Sequence, residues 1–403
     1  MTMDRSRLTQ ILHSIIIADA IASPLDNLSA EHIHNVFGTI HDYTDPTPAL
    51  KHKLHTWKKP ALYTALSQYV LLLCAINTNH HEYTHQPIED FISIFGDSSD
   101  ILRHPLGMLH HPGSPYNAPT AETLIIMPSL FFLKRIPNTE SIINMILTHN
   151  RNAATCVASC YYYFMLDTII RHQLITLDMT VLNDIATRTL QFVSSHSSEL
   201  FVSGGNPQDI HTAAQDLYSM MQHLPLHADE NQFTNYCLSY THRWSKHTFT
   251  RLTVNHAFTL LPLAIYCILT INKENLLFAT VHKGGNISLL APLVATIACS
   301  LYGEDAIPHH LMQNIINKKR ILQLLDLLRN RSITTHYLTE FFQNEKKLTQ
   351  KEHEELESKL KHIAPKRPSS KQSKDSSKDI TQHVIESWTK LDKAKWKKER
   401  RKR

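Results

Sequence analysis

The chain has 403 residues, 42% of them apolar, with only nine glycines. That is apolar material for one large core or two ordinary ones, and too little glycine for a turn-rich sandwich or barrel, so an all-α body with short connections is expected. The formal net charge of +5 is uneven, with 19 Lys/Arg against 10 Asp/Glu from Glu345 onward and a net −4 before it, which excludes a uniformly basic nucleic-acid binder and describes a mildly acidic body with a basic tail.

The first segment, "RSRLTQILHSIIIADAIAS", has the basic start and small residues of a secretory leader, but His13 and Asp19 interrupt its apolar stretch. A first buried helix is therefore expected, with Leu8, Leu12, Ile15, Ile16 and Asp19 on one face. "HDYTDPTPAL" at 41–50 reads as a loop, and so does the proline-rich stretch 104–119. Helices are expected at Leu62–Ile76, Ile142–Leu147, Thr155–Ile170, Leu182–Val193, Phe258–Thr270, Ser288–Tyr302 and Ile321–Leu328. Two runs, Leu252–Ile271 and Gly284–Gly303, contain no Lys, Arg, Asp or Glu and have the length of a membrane span. They carry Asn255, His256, Asn286 and internal prolines, so core helices are expected instead.

"HEYTH" at 81–85 matches the HExxH spacing of zinc proteases, which needs a helix to put both histidines on one face. Asparagines precede it and Pro87 follows closely, so a solvated loop is expected. No GxSxG, P-loop or GxGxxG occurs, and no internal repeat. Cys74, Cys156, Cys160, Cys237, Cys267 and Cys299 form no CxxC pair and sit in apolar stretches, as buried thiols of a reducing compartment such as the cytoplasm would. In "HKGGNISLLAPLVATIACSLYGEDAIP" (282–308), Gly284 and Gly285 precede a helix with Asn286 at its expected N-cap. Glycines admit a ligand close to the backbone, and a helix start attracts phosphate.

Beyond a body of 1–340, a charged helix (341–364), a Ser/Lys/Pro-rich linker (365–379) and a basic amphipathic segment (380–403) are expected. Ile380, Val384, Trp388 and Leu391 recur at helical spacing ahead of "KAKWKKERRKR". Trp388, Trp396, Lys397, Lys398, Arg400 and Arg401 are the residues there suited to the phosphates of nucleic acid or an acidic membrane.

Several pieces, in order over about residues 8 to 325, resemble the ADP-ribosylglycohydrolase family, which includes the dinitrogenase reductase-activating glycohydrolases. Ala18-Asp19-Ala20-Ile21-Ala22 is similar to the family's GDAxG, and Tyr43-Thr44-Asp45-Pro46-Thr47-Pro48-Ala49-Leu50 to its TDDT stretch. Thr120 to Pro128 is similar to NGxxMRxxP, and Thr148-His149-Asn150 to the family's T-H motif. Gly284 to Leu289 is similar to GGDTDT, with the later Tyr302, Gly303, Ile307 and Pro308 correctly spaced. The resemblance implies an all-α hydrolase that removes ADP-ribose from proteins with a pair of divalent ions, usually magnesium.

The departures are concentrated where the resemblance implies metal. The ligand set carried over is Thr44, Asp45, Pro46, Asn286, Ser288 and Leu289, in which four carboxylates have fallen to one. Hard dications need several anionic oxygens, so no resident cofactor is expected, with Mg²⁺ required if hydrolysis persists. Ile125 replaces the family's arginine, and Ala18 and Ala22 replace glycines. The expected protein is a degenerate family member that binds or scaffolds an ADP-ribose-like ligand or a protein partner. Gly284, Gly285, Asn286, Ser288 and His149 are its expected ligand contacts. Thr44 and Asp45 are its metal-site remnants. The alternatives are an active ADP-ribosyl-protein hydrolase using Asp45 and Asp19, and binding of nucleic acid or acidic membrane through the tail.

Overall fold

Asp4 accepts from the Ser6 amide and starts α1 (Arg5–Ala22), whose only polar residues after Gln10 are His13, Ser14 and Asp19. A helix apolar on every side has to be covered on every side. The computed structural model describes residues 4–51, 57–95, 117–200, 207–226 and 229–363, and α1 lies at the centre of that body. A 3-10 turn carrying Pro24 ends it. Then follow α2 (Ala30–Phe37), the five-residue α3 (Thr47–Lys51), α4 (Ala65–Asn77), capped by Thr64, and α5 (Gln86–Phe95).

The middle of the chain supplies α6 (Glu122–Ile126), α7 (Thr139–His149), α8 (Ala153–His172), α9 (Met179–Ser195), α10 (Ser197–Leu200), α11 (Pro207–Gln222) and α12 (Glu230–Thr241). Next come α13 (Ala257–Thr270), α14 (Leu276–Val281), α15 (Ile287–Tyr302), α16 (His309–Asn314), α17 (Lys318–Asn330) and α18 (Thr335–Ile363). Among the described residues there is no strand, only one antiparallel bridge between Ser29 and Gly284. The fold is all-α, and each helix expected from periodicity within the described residues is present.

The most extensive helix pair is α1 on α15. Their backbones come close enough for Ser14 Oγ to donate to the Ala295 carbonyl at 3.2 Å. Arg7 then caps the far end of α15, donating to the carbonyls of Ser300 and Leu301 at 3.1 and 2.9 Å. Arg5 reaches the last turn of α17 in the same way. Around this pair α8, α13 and α14 close one side, and α9 and α11 stack beyond α8. Asp167 of α8, almost fully buried, holds Arg171 and Arg188 together.

Three segments have the length and apolarity of membrane spans: Arg5–Leu25, Ala153–His172 and Ile287–Ala306. Between 83% and 89% of each apolar window lies inside the body, because these are the helices that cover one another.

The division placed at residue 340 falls within α18, and the compact unit continues to Lys361. Leu338, Glu345, Glu352 and Lys359 recur every seven residues on one face of this helix. Leu338 and Glu345 are buried, and Glu352 nearly so. Residues 364–403, including the expected linker and the whole basic segment, lie outside the described residues, as does most of the proline-rich loop.

Candidate functional site: the loops around Asp19, Asp26 and Gly284

Gly284 and Gly285 both have positive φ, +66° and +73°. A Cβ on Gly284 would lie 2.4 Å from the Ala30 nitrogen, and one on Gly285 2.3 Å from the Thr253 carbonyl oxygen. The glycine pair thus lets three backbones cross. Asn27 donates to Gly285 O at 2.8 Å, Gly285 to Leu28 O at 2.7 Å, and Asn286 to Thr253 O at 2.9 Å. The close approach that the pair permits is therefore made by the chain's own backbone.

Asn286 occupies the N-cap of α15 without capping it. Its side chain donates instead to Asn27 Oδ1 at 2.9 Å. The capping acceptor is Asp26, whose Oδ1 receives the Ser288 amide at 2.9 Å. The Ile287 amide bonds to Gly285 O, so the first amides of α15 have partners within the chain. Burial raises the Asp26 carboxyl above the ordinary range, against hydrogen bonds from Ser288 and Asn27 and the charge of Lys58. Sequence reasoning missed Asp26. The turn residues Pro24, Asp26 and Asn27 after an apolar helix were the available signal.

Asp19, seven residues earlier, is fully buried. Its carboxylate accepts from Thr64 N at 2.7 Å, Thr64 Oγ1 at 2.9 Å and Ser67 Oγ at 2.6 Å. It therefore ties α1 to the first turn of α4. Burial pushes it up to about 6, with Ser67, Thr64 and Lys58 opposing. The exposed Lys58 favours the charged form of both Asp19 and Asp26, as the smallest of the influences on each.

Thr44 and Asp45 are bonded elsewhere. Among the described residues, no hydrogen bond or ion pair joins either to the Gly284–Ser288 stretch. Thr44 Oγ1 donates to Asp42 O at 3.3 Å, a local turn contact. Asp45 caps α3, accepting from Thr47 N at 3.0 Å and Thr47 Oγ1 at 2.6 Å. Partial desolvation works against its charge, but the Thr47 hydrogen bonds and the nearby Lys359 hold the carboxyl below the ordinary range. Lys359 Nζ stands 3.6 Å from Asp45 Oδ2.

These residues do not fit a divalent ion pair. Magnesium dehydrates reluctantly and wants several anionic oxygens. Pro46 and Leu289 offer no side-chain oxygen, Asn286 and Ser288 are neutral, and Asp45 already faces an ammonium. No group of three or more His, Cys, Asp or Glu is gathered at metal-binding distance among the described residues.

His149 ends α7. Its Nδ1 lies 2.7 Å from the Met145 carbonyl, which only accepts, so the proton is on Nδ1. Nε2 then accepts from the Tyr69 hydroxyl at 2.5 Å. Burial pushes the imidazole down to about 4, despite the Met145 carbonyl. Tyr83, the middle of "HEYTH", lies beside the same ring. That motif is a loop as expected, but Tyr83 is buried, and His85 pairs with Glu89 at 3.4 Å.

Between His149 and the glycine pair, the 118–122 segment is tied on both sides. Asn150 Nδ2 donates to Ala118 O at 2.9 Å, and Thr155 Oγ1 to Thr120 O at 2.9 Å. Asn255 accepts from Ala121 N at 3.0 Å and donates to Glu122 Oε1 at 2.6 Å. Ile125, where the family's arginine would stand, is fully buried. Trp388, Trp396, Lys397, Lys398, Arg400 and Arg401 lie outside the described residues.

A family profile for ADP-ribosylglycohydrolase matches residues 1–337. A solved structure described as an ADP-ribosylglycohydrolase-related protein complex is similar at TM-score 0.52 and 12% identity, covering 83% of this chain and 100% of that one. No curated relative matches in sequence. The profile spans most of the chain, the neighbour shares the fold, and the chain belongs to the ADP-ribosylglycohydrolase family.

Proposed function

We propose that this chain is a non-hydrolytic member of its family that works by binding, as a scaffold for an ADP-ribose-like ligand or a protein partner. The observation that carries the reading is the donor set. Of the six positions that resemble the family's metal ligands, Asp45 is the only carboxylate, and it is engaged by Thr47 and Lys359. One carboxylate, already engaged, does not hold the metal whose bound water would attack the anomeric carbon. The donors at the start of α15 that would meet a phosphate have Asp26, Thr253 and Gly285 as partners. A phosphate-bearing ligand would therefore have to displace the Asp26 carboxylate. Six buried free thiols favour a cytoplasmic setting for this activity.

The test uses the full chain with ADP-ribosylated protein in the presence of Mg²⁺ or Mn²⁺. No release of ADP-ribose is expected, and calorimetry with free ADP-ribose should give the same affinity with and without Mg²⁺. Release of ADP-ribose that disappears in Asp45→Ala would establish the hydrolase instead.

A further inference from the structure

The face of α18 that carries Leu338, Glu345, Glu352 and Lys359 meets one stretch of chain at successive points. Glu345, fully buried, accepts from Tyr63 Oη at 2.7 Å and Gln68 Nε2 at 2.9 Å. Seven residues on, Glu352 Oε1 accepts the Lys59 backbone amide at 2.8 Å. Glu355 pairs with the Lys59 ammonium. A further turn brings Lys359, whose Nζ donates to Thr47 Oγ1 at 2.7 Å, faces Asp45 at 3.6 Å, and stands 5.2 Å from the centre of the buried Trp57 ring. These partners lie between Asp45 and Gln68, the stretch that also holds Thr64 and Ser67 against Asp19, and Glu345 accepts in addition from Asn317 at the start of α17.

From this ladder we infer that α18 is an in-chain splint for residues 45–51 and 57–68, and that the Lys359 ammonium performs at Asp45 the organising role of a bound cation. The inference rests on the non-hydrolytic reading only in taking Asp45 to be free of metal. Three features support it. The family match ends at residue 337, and α18 runs from Thr335 to Ile363, so nearly all of the splint lies beyond the matched residues. The contacts sit on one helix face at heptad spacing, which makes them a register and not scattered surface pairs. The ammonium has three kinds of partner at once, a hydroxyl, a carboxylate and an aromatic face, which is a built cation site. An ammonium also meets a lone carboxylate without the ligand count that magnesium demands.

Hydrogen exchange on the full-length chain tests this, comparing wild type with Lys359→Met and Lys359→Arg. Lys359→Met keeps the apolar stem on Trp57 and removes the charge. Exchange at the amides of 47–50 and 57–59 should quicken about fivefold to tenfold in Lys359→Met and stay near wild type in Lys359→Arg. Wild-type exchange there should be the same in EDTA and in millimolar Mg²⁺. Exchange in Lys359→Met within about twofold of wild type overturns the splint, and so does protection of wild type by Mg²⁺. ADP-ribose release by the wild type, with these exchange results intact, would overturn the non-hydrolytic reading and leave the splint standing.

Discussion

The Tyr69 hydroxyl donates to Nε2 of His149 at 2.5 Å, joining the middle of α4 to the end of α7. The bond fixes the imidazole as the neutral Nδ1–H tautomer, since Nδ1 faces the Met145 carbonyl. Tyr69→Phe leaves a buried ring nitrogen without a donor, so a loss of about 1–3 kcal/mol in unfolding free energy is expected. Denaturant melts of the variant would measure it. A loss below about 0.5 kcal/mol would mean that water replaces the hydroxyl freely.

Acid should destabilise the protein well above the carboxylate range. Burial holds His13, His149 and His256 at about 4 in the folded chain, from an ordinary 6.5. Each lowered value means that the unfolded chain takes up the proton first, so stability falls as pH drops from 6.5 towards 4. Asp19 works the other way, since its raised value near 6 lets the folded chain hold the proton as pH drops through 6. The three histidines outweigh Asp19, while Asp26 and Glu345, whose carboxyls burial also raises, offset part of the loss, and a net loss on the order of 1–4 kcal/mol between about pH 7 and 5 is expected. A thermal midpoint that stays constant over that range would contradict it.

The two kinds of positive-φ glycine should separate cleanly. Gly38, at φ +67° and ψ −139°, has nothing within 4 Å of an added Cβ, so Gly38→Ala costs only its backbone strain, about 1–3 kcal/mol. Gly285→Ala adds a Cβ at 2.3 Å from a backbone oxygen, and a loss of at least about 3 kcal/mol is expected. Urea midpoints of the two variants provide the comparison, and equal losses would refute the backbone-crossing account.

Asp26→Ala removes the capping acceptor of α15 and should cost about 1–2 kcal/mol, while Asp26→Asn, which keeps one acceptor oxygen, should cost less. If ADP-ribose binds at the start of α15, Asp26→Ala should also tighten it by freeing the Ser288 amide. Calorimetry on both variants measures the two effects together.

The helices were legible because long apolar runs such as those of α1, α8 and α15 bury nearly every side chain. Their partners were not, since periodicity says that Ser14 faces a core and nothing about the Ala295 carbonyl that it meets. At the site, Gly284 and Gly285 were legible as backbone exceptions, but what crowds them is Thr253 and the 28–30 backbone, brought there by tertiary packing. Asn286 reads as a cap from local chemistry, and Asp26, 262 residues before the Ser288 amide that it receives, displaced it. The charged α18 conceals its function most completely. Glu345 looks like a solvated acid until Tyr63, Gln68 and Asn317 are seen around it.

The pairing of α1 with α15 has a consequence for synthesis. The hydroxyl of Ser14, which bonds Ile11 O within α1, meets its second carbonyl, on Ala295, 281 residues later. A ribosome adding about 5–20 residues per second needs some tens of seconds to deliver that partner. Through that interval the apolar α1 has been made while the helix that packs most extensively on it has not. Such a nascent chain should be prone to aggregate when truncated before α15.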